Sequence, residues 1–379
     1  MSARTSSGPG IATRVFGSQW FVSVLAVLIA FVIGAILIAL SGASVVDAYY
    51  AMFRGSIVDP NAANAVRMIK PLTDSLFYSI PLIISGLGLA LGFRAGLFNI
   101  GGKGQIIVGA LAAVWVGFSV NLPPVLHTLV ALLVAIVAGG LYGGIAGVLK
   151  AKTGANEVIV TIMLNSIATL GLGYTLAQKA WQVPGTNQPV TPKVADSAAL
   201  VRMLPAPFKL HVGFLVALVA LVAFWWLIER STLGFQIRAV GANAAAARTA
   251  GISVERITAI TMVLSGAFLG LAGANEALGT IGYVSRDVAG SIGFDAITVA
   301  LLGRNKTWGT FGAGLLFGAF KAGGYTMQAK GVPIDMILIL QSVIVLLIAA
   351  PALVRWLFRL PDVRALAANT RKGNADEHK

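Results

Sequence analysis

The sequence predicts an all-α integral membrane protein with about ten transmembrane segments in two inverted halves, including broken or re-entrant helices. Two observations support this prediction. Of the 379 residues, 57% are hydrophobic and only 11% are charged, and the mean hydropathy is +0.85. A soluble domain contains about 25% charged residues, so this chain cannot cover a water-facing surface. Apolar stretches near the length of a bilayer span also recur along the chain.

Ten apolar stretches are predicted to be membrane segments, since a crossing takes about 20 residues. They are 20–41, 73–92, 104–120, 125–148, 157–178, 212–228, 257–274, 294–303, 308–326 and 333–354. The stretch 294–303 is too short for a full crossing, which predicts a half-helix or re-entrant piece. Five segments lie on each side of the loop 179–211. An odd number per half inverts the halves relative to each other, which is typical of transporters.

The distribution of basic residues orients the chain. The formal net charge is +14, from 28 basic and 14 acidic residues. Lys and Arg are enriched in the cytoplasmic loops of membrane proteins, and most of these residues share one side if the N-terminus is inside. The predicted organisation is a cytoplasmic segment 1–19, a transmembrane domain 20–357 with extracytoplasmic loops 42–72 and 179–211 and a cytoplasmic loop 229–256, and a cytoplasmic tail 358–379.

The sequence excludes several chemistries. The nearest approach to a nucleotide-binding P-loop is Gly102-Lys103, but Leu97 stands at the position of its first glycine and Gly104 at that of its Ser or Thr. The three histidines are scattered, there is no cysteine, and no nucleophile-elbow motif is present. Aromatic residues are not interleaved with the basic ones, as they are on nucleic-acid surfaces. We therefore expect no enzyme activity, no bound metal or cofactor and no nucleic-acid partner.

A glycine-rich break follows the second predicted segment, at 92–105. Glycine permits backbone conformations that unwind a helix, and unwound backbone at membrane depth is stable only inside protein or beside a cavity. One interpretation is a tight cytoplasmic turn between two helices. The other is a broken helix beside a solute path, where Phe98 offers a stacking face and Asn99 an amide.

Polar residues inside the apolar stretches are the next candidates, because they are costly in lipid. Asn165 lies in mid-segment, where an interhelical hydrogen bond and a solute contact are both compatible with the sequence. Glu276 and Asp295 flank the loop 277–293, where a gating role is one hypothesis. Phe98, Asn99, Asn165, Glu276 and Asp295 are therefore the candidate residues of a solute path. By contrast, the spacing of Gly139, Gly143 and Gly147 indicates helix packing.

The loop 229–256 contains a short alanine-rich helix. Asn243 is a typical N-cap residue and Gly251 is typical of the position after a helix end. A helix this short is marginal in water by itself, so it must dock on something. A bilayer surface and a partner protein are the two alternatives.

Four runs together resemble a known family: 93–101 with Gly104-Gln105, 154–165, 233–252 and 293–305. They are similar to permeases of bacterial nucleoside ABC importers, within the wider branched-chain amino acid and simple-sugar permease family. The resemblance covers roughly residues 70–350. Relatives commonly carry an acidic residue where this chain has Lys103.

The resemblance implies the membrane-spanning subunit of an ATP-driven importer of nucleosides or a related small polar solute, in the bacterial inner membrane. The positions of the basic residues predict that both termini are cytoplasmic. It implies a second, paralogous permease subunit, an extracytoplasmic solute-binding protein and a cytoplasmic ATPase that binds ATP and Mg. The short helix then becomes the ATPase-coupling element, with the candidate residues Arg238, Asn243, Ala246, Ala247, Arg248 and Gly251. The same role for simple sugars or branched-chain amino acids, and an ion-coupled secondary transporter, are the alternatives.

Overall fold

The computed structural model describes residues 19–329 and, beyond them, 331–333, 336, 338–339, 342–343 and 346–347. The predicted tail 358–379, nearly all of the segment 1–19 and most of the segment 333–354 lie outside these residues. The helices are α1 Gln19–Leu40, α2 Val45–Ser56, α3 Ala65–Arg94, α4 Gly102–Ser119, α5 Leu126–Thr153, α6 Glu157–Ala177, α7 Gly213–Trp225, α8 Thr232–Ala242, α9 Ala244–Thr249, α10 Val254–Asn275, α11 Ile292–Leu302 and α12 Thr307–Gln328.

Two of these helices continue into π-helical turns. Trp226–Arg230 extends α7, and Glu276–Ile281 extends α10. Residues 50–327 form one compact unit, while the residues before and after them belong to a second. In that second unit, the Tyr49 hydroxyl donates to the carbonyl oxygen of Phe31, and the two rings meet edge to face at 5.4 Å.

Six helices in the described part of the chain are long and apolar enough to cross a membrane. They are α3, α4, α5, α6, α7 with its π-turn and α10 with its π-turn. They coincide with six of the ten predicted segments, which confirms a helical, multi-pass membrane protein. The helices α1, α11 and α12 coincide with three others. At 11 residues, α11 is as short as its sequence predicted.

Two predicted loops are largely helical. The loop 42–72 contains all of α2 and the first turns of α3, which begins at Ala65 behind an Asn64 cap that accepts from the Arg67 amide at 2.9 Å. The loop 229–256 contains α8 and α9. Helix α2 was missed because it carries charged residues, such as Asp47 and Arg54, and an apolar run is the wrong signal for such a helix.

The centre of the unit 50–327 is a glycine contact between α5 and α10. A Cβ on Gly139 would lie 2.5 Å from the carbonyl oxygen of Gly266, and one on Gly270 would lie 2.3 Å from that of Ala135. Real Cβ atoms do not approach so closely, so only glycine permits these helices to touch through their backbones. The predicted packing role of the Gly139 face is confirmed.

Candidate functional site

The glycine-rich break is a turn, 95–101, between α3 and α4. Its Gly96 has φ +74°, a left-handed conformation that favours glycine. Asn99 is buried at the centre of the turn. Its amide nitrogen donates to Gln105 Oε1 and to Ser265 Oγ, both at 3.0 Å, and its oxygen accepts from the Gly101 amide at 2.9 Å. The protein itself therefore satisfies the Asn99 side chain.

Asn165 holds the same turn from the side of α6. Its amide nitrogen donates to the Ile100 carbonyl oxygen, and its oxygen accepts from the Gly104 amide, both at 2.8 Å. The ring of Phe98 lies 5.0 Å from that of Phe93, and the Phe98 side chain is 38% exposed. In this structure the two amides fix unwound backbone, as buried polar groups must, and neither lines the polar cavities described below.

The turn also meets the loop that carries α8 and α9. A Cβ on Gly241, near the end of α8, would lie 2.1 Å from the Arg94 carbonyl oxygen, and the Gly241 Cα lies 3.6 Å from the Cβ position of Gly96. Backbone therefore packs directly on backbone. A displacement of α8 must be transmitted to the turn, because close-packed backbones cannot slide past each other without repacking.

A polar cavity of about 420 Å³ lies at the other end of the same helices, beside the loop 179–211. Helix α3 contributes the aromatic rings of Phe77 and Tyr78, and α12 contributes Tyr325. Glu276 and Lys321 supply opposite charges to the same cavity. Flat rings combined with a few polar groups are typical of small-molecule sites.

A second cavity of about 780 Å³ shares Tyr78, Lys209 and Tyr325 with the first. Two ion pairs line it, one between Lys70 and Asp74 and one between Arg54 and Asp59 at 2.6 Å. Because the two cavities have three lining residues in common, they are adjacent, and we call the two together the outer recess.

Glu276 and Lys321 line the outer recess, and a second carboxylate, that of Asp295, lies near Lys321. Lys321 interacts electrostatically with both Glu276 and Asp295. Asp295 accepts a hydrogen bond from the Ser291 hydroxyl at 2.7 Å. The structure therefore places the two predicted carboxylates within electrostatic range of one cation, which lowers the cost of their charge inside a membrane protein.

Sequence reasoning missed Tyr78, Lys321 and Tyr325. The signal for Lys321 was available, because it stands alone among apolar and small residues within α12, and a lone cation in a membrane segment indicates function. The tyrosines gave no such signal, since aromatic residues are ordinary in apolar helices. Among the described residues, no group of three or more His, Asp or Glu side chains is arranged to hold a metal.

The predicted short helix is α9, and both predicted caps are confirmed. Asn243 Oδ1 accepts from the Ala246 amide at 3.0 Å, and Gly251 has φ +82°. An open groove of about 570 Å³ runs between α8 and α9, and it is mostly apolar, with Phe235, Ala246 and Ile252 among its lining residues. Phe235 is 61% exposed although it is a large apolar side chain. Such a surface is typical of a contact with another protein.

The remaining candidate coupling residues surround this groove or lie beneath it. Ala247 is buried, whereas Ala246 is exposed and lines the groove. Arg248 forms an ion pair with Glu255. Arg238 is half-buried, and its Nη1 has no hydrogen-bond partner within the described chain.

Comparison with known proteins identifies the family. The family described as branched-chain amino acid transport system / permease component matches residues 72–349. The chain is 39% identical to a guanosine ABC transporter permease protein of Bacillus subtilis over 345 residues, which cover 89% of this chain and 95% of that protein.

Two further relatives extend the comparison. A glucose ABC transporter permease protein of Haloferax volcanii is 35% identical over 333 residues, 85% of each chain. A nucleoside ABC transporter permease protein of Lactococcus lactis is 30% identical over 357 residues, 92% of this chain and 95% of that protein. No solved structure matches. The resemblance seen in the sequence is confirmed, and the chain belongs to the branched-chain amino acid transport system permease family.

Proposed function

We propose that this chain is the permease subunit of an ATP-driven importer that moves nucleosides into the cytoplasm. The observation that supports this proposal is the outer recess, which combines aromatic rings with hydrogen-bonding groups. A nucleobase stacks on flat rings, for about 1–3 kcal/mol per base in proteins that bind single strands. Ribose hydroxyls need acceptors and donors of the kind that Glu276, Thr280 and Lys321 offer.

The outer recess thereby replaces the glycine-rich turn as the proposed solute-contact region. Glu276 stays in the proposal as a residue that contacts the solute. Asp295 stays because, like Glu276, it interacts electrostatically with Lys321. Asn99 and Asn165 are proposed to keep the turn unwound, and Phe98 to lie beside it. Relatives named for guanosine and nucleosides support the nucleoside assignment, while one named for glucose makes a simple sugar the second candidate.

The test is uptake of radiolabelled guanosine, uridine and glucose by a strain whose chromosomal copy of this gene is deleted, with and without the gene supplied on a plasmid. We expect nucleoside uptake to be restored and glucose uptake to be unaffected. The variant Tyr78→Leu should lower the rate of nucleoside uptake, because it removes a stacking ring but keeps an apolar side chain. Restored glucose uptake without nucleoside uptake would support the sugar alternative.

The proposed assembly has four kinds of part. ATP and Mg are bound by a cytoplasmic ATPase subunit that seats α9 in a surface groove, and a binding protein delivers solute from outside. A second, paralogous permease subunit completes the translocation unit. This division of labour is supported by the family and by the exposed groove between α8 and α9. It also explains why this chain carries no P-loop.

The proposed location is the bacterial inner membrane, with both termini cytoplasmic and with ten membrane segments in two inverted halves. The positions of basic residues support it. A reporter that is active only outside the membrane, fused after Lys379, should be inactive. Fused within the loop 179–211, for example after Gly185, the same reporter should be active. The opposite result at both sites would show that the chain has the reverse orientation in the membrane.

A further inference from the structure

A basic pocket separate from the outer recess lies where three helix ends converge. Helix α3 ends at Arg94, the π-turn that extends α7 ends at Arg230, and Lys306 directly precedes α12. Between them is a space of about 670 Å³ lined by these three cations, by Glu229 and by the first residues of α12. Neither the proposed transport path nor the proposed coupling groove uses these residues.

The positive charge of this pocket favours the binding of an anion. Three positive side chains face one carboxylate. Arg94 Nε donates to the Asn305 carbonyl oxygen at 2.7 Å, and its Nη2 lies 3.9 Å from Glu229, which is longer than a hydrogen bond. The single carboxylate therefore neutralises at most one of the three cations, and the pocket retains an excess of positive charge.

The start of α12 adds donors to the same space. The first N–H groups of a helix have no acceptor within the helix, and this end of the helix dipole is positive, so it favours a phosphate. Thr307 lines the pocket and is only 4% exposed, yet its buried hydroxyl has no hydrogen-bond partner in the described part of the chain. A buried hydroxyl without a partner is costly, and a phosphate oxygen would satisfy it.

The tryptophans around the pocket indicate that the phosphate belongs to a lipid. Trp308, which lines the pocket, is 69% exposed, and Trp226, the chain neighbour of the lining residue Trp225, is 59% exposed; both are at helix ends. Tryptophan is enriched at this level of a membrane protein, where the headgroups lie. The Arg230 guanidinium lies 5.3 Å from the centre of the Trp225 ring, which holds this cation at the pocket. Basic pockets between membrane helices bind anionic headgroups.

We propose that this pocket binds the phosphate of an anionic phospholipid headgroup, held by Arg94, Arg230, Lys306 and the start of α12. The bound lipid ties the ends of three helices together at the membrane surface. The proposal is independent of the transported solute, and it requires only that the chain spans a membrane that contains anionic lipid.

The test is native mass spectrometry of the full-length chain in detergent, titrated with dioleoylphosphatidylglycerol or with zwitterionic dioleoylphosphatidylcholine. The variant pair Arg230→Gln/Lys306→Gln removes two pocket charges. Its matched control is Lys152→Gln/Arg256→Gln, which removes two exposed charges elsewhere. We expect weaker phosphatidylglycerol binding for the pocket pair, on the order of fivefold for each lost charge, and unchanged binding for the control. Phosphatidylcholine binding should be the same in all forms.

Thr307→Val keeps the charge and shape of the pocket, so it tests the site even where the double variant fails to fold. We expect it to weaken phosphatidylglycerol binding while the chain still elutes as a single species in size-exclusion chromatography. Equal phosphatidylglycerol binding by the wild type, Thr307→Val and the pocket pair would overturn the proposal. Full displacement of the lipid by inorganic phosphate would overturn it too, in favour of a site for soluble anions. The proposal would also be overturned if the pocket pair no longer associated with a co-expressed ATPase subunit while its lipid binding was unchanged.

Discussion

At the scale of single residues, Lys321 is the cation shared by the two predicted carboxylates, Glu276 and Asp295. A carboxylate that loses a nearby cation inside a membrane protein is strongly disfavoured. The charges of Lys321 and Glu276 thereby offset each other beside the proposed solute site, which suits an uncharged nucleoside.

We expect Lys321→Met to lower nucleoside uptake by roughly tenfold or more, because it removes the hydrogen bond that the charged Lys321 ammonium is proposed to donate to the solute, and loss of such a bond costs about 1.5–3 kcal/mol. Lys193→Met is the matched control, because Lys193 is exposed and lies in the loop 179–211. Uptake is measured at equal protein levels in membranes. Equal rates for both variants would remove Lys321 from the proposed path.

His211 leads to a second prediction at the scale of single residues, which concerns the dependence of stability on pH. Burial lowers the pKa of His211 to about 4, and its Nδ1 accepts from the Gly213 amide at 3.1 Å. The folded protein therefore binds a proton at His211 less readily than the unfolded chain, in which the pKa of the imidazole is about 6.5. The free energy of unfolding is unaffected above pH 6.5 and decreases as the pH falls towards 4, by on the order of 2 kcal/mol at pH 5.

The measurement is the thermal unfolding midpoint of the purified protein in detergent between pH 7.5 and pH 5. We expect the midpoint of the wild type to fall more steeply with acidification than that of His211→Gln, whose side chain does not titrate. Parallel curves for the two proteins would show that another group controls the acid sensitivity.

At the scale of elements, the contact between α8 and the turn 95–101 joins the loop that carries α8 and α9 to helices α3 and α4. Asn99 and Asn165 hold the turn, and Gly241 lies against it without an intervening side chain. A rigid turn held by buried hydrogen bonds moves as one piece. Movement of α8 and α9 would consequently reach α3 and α4 through this contact.

Gly241→Ala tests this link, because the added Cβ would lie 2.1 Å from the Arg94 carbonyl oxygen. Overpacking of this kind costs about 1–3 kcal/mol, so we expect a lower unfolding midpoint and impaired uptake. Gly312→Ala is the control, since a Cβ there meets nothing within 4 Å in an exposed part of α12. That change should be neutral or slightly stabilising. An unimpaired Gly241→Ala protein would argue against the link.

At the scale of the whole molecule, the groove between α8 and α9 is where a partner is proposed to bind. The exposure of Ala246 and the burial of Ala247 decide which substitution tests this. A change at Ala247 would disturb the fold, whereas a change at Ala246 alters only the surface of the groove.

We expect Ala246→Trp to reduce association with the ATPase subunit, because the indole would occupy the groove of about 570 Å³. Ala244→Trp is the control, as Ala244 is also an exposed residue of α9 but does not line the groove. Association is measured by co-purification from membranes at equal permease levels. Normal co-purification and uptake with Ala246→Trp would instead favour α9 lying on the bilayer.

The sequence by itself determined the class of protein, six membrane helices of the described chain, the caps of α9 and the glycine face of α5. Each of these follows from local composition or spacing. Hydropathy over 20 residues, a cap three residues from its amide and glycines four residues apart are all properties of a short stretch. The same locality explains why α2, with its charged residues, was missed.

The tertiary structure alone decided which polar residues meet. Asn99 and Ser265 are 166 residues apart in sequence yet form a hydrogen bond, and Lys321 interacts electrostatically with two carboxylates from different helices. A buried polar side chain must find a partner, but the sequence does not state which one. Asn99 and Asn165 were therefore predicted as solute contacts from their residue type, and only the packing of α4, α6 and α10 revealed that backbone and neighbouring side chains already satisfy them.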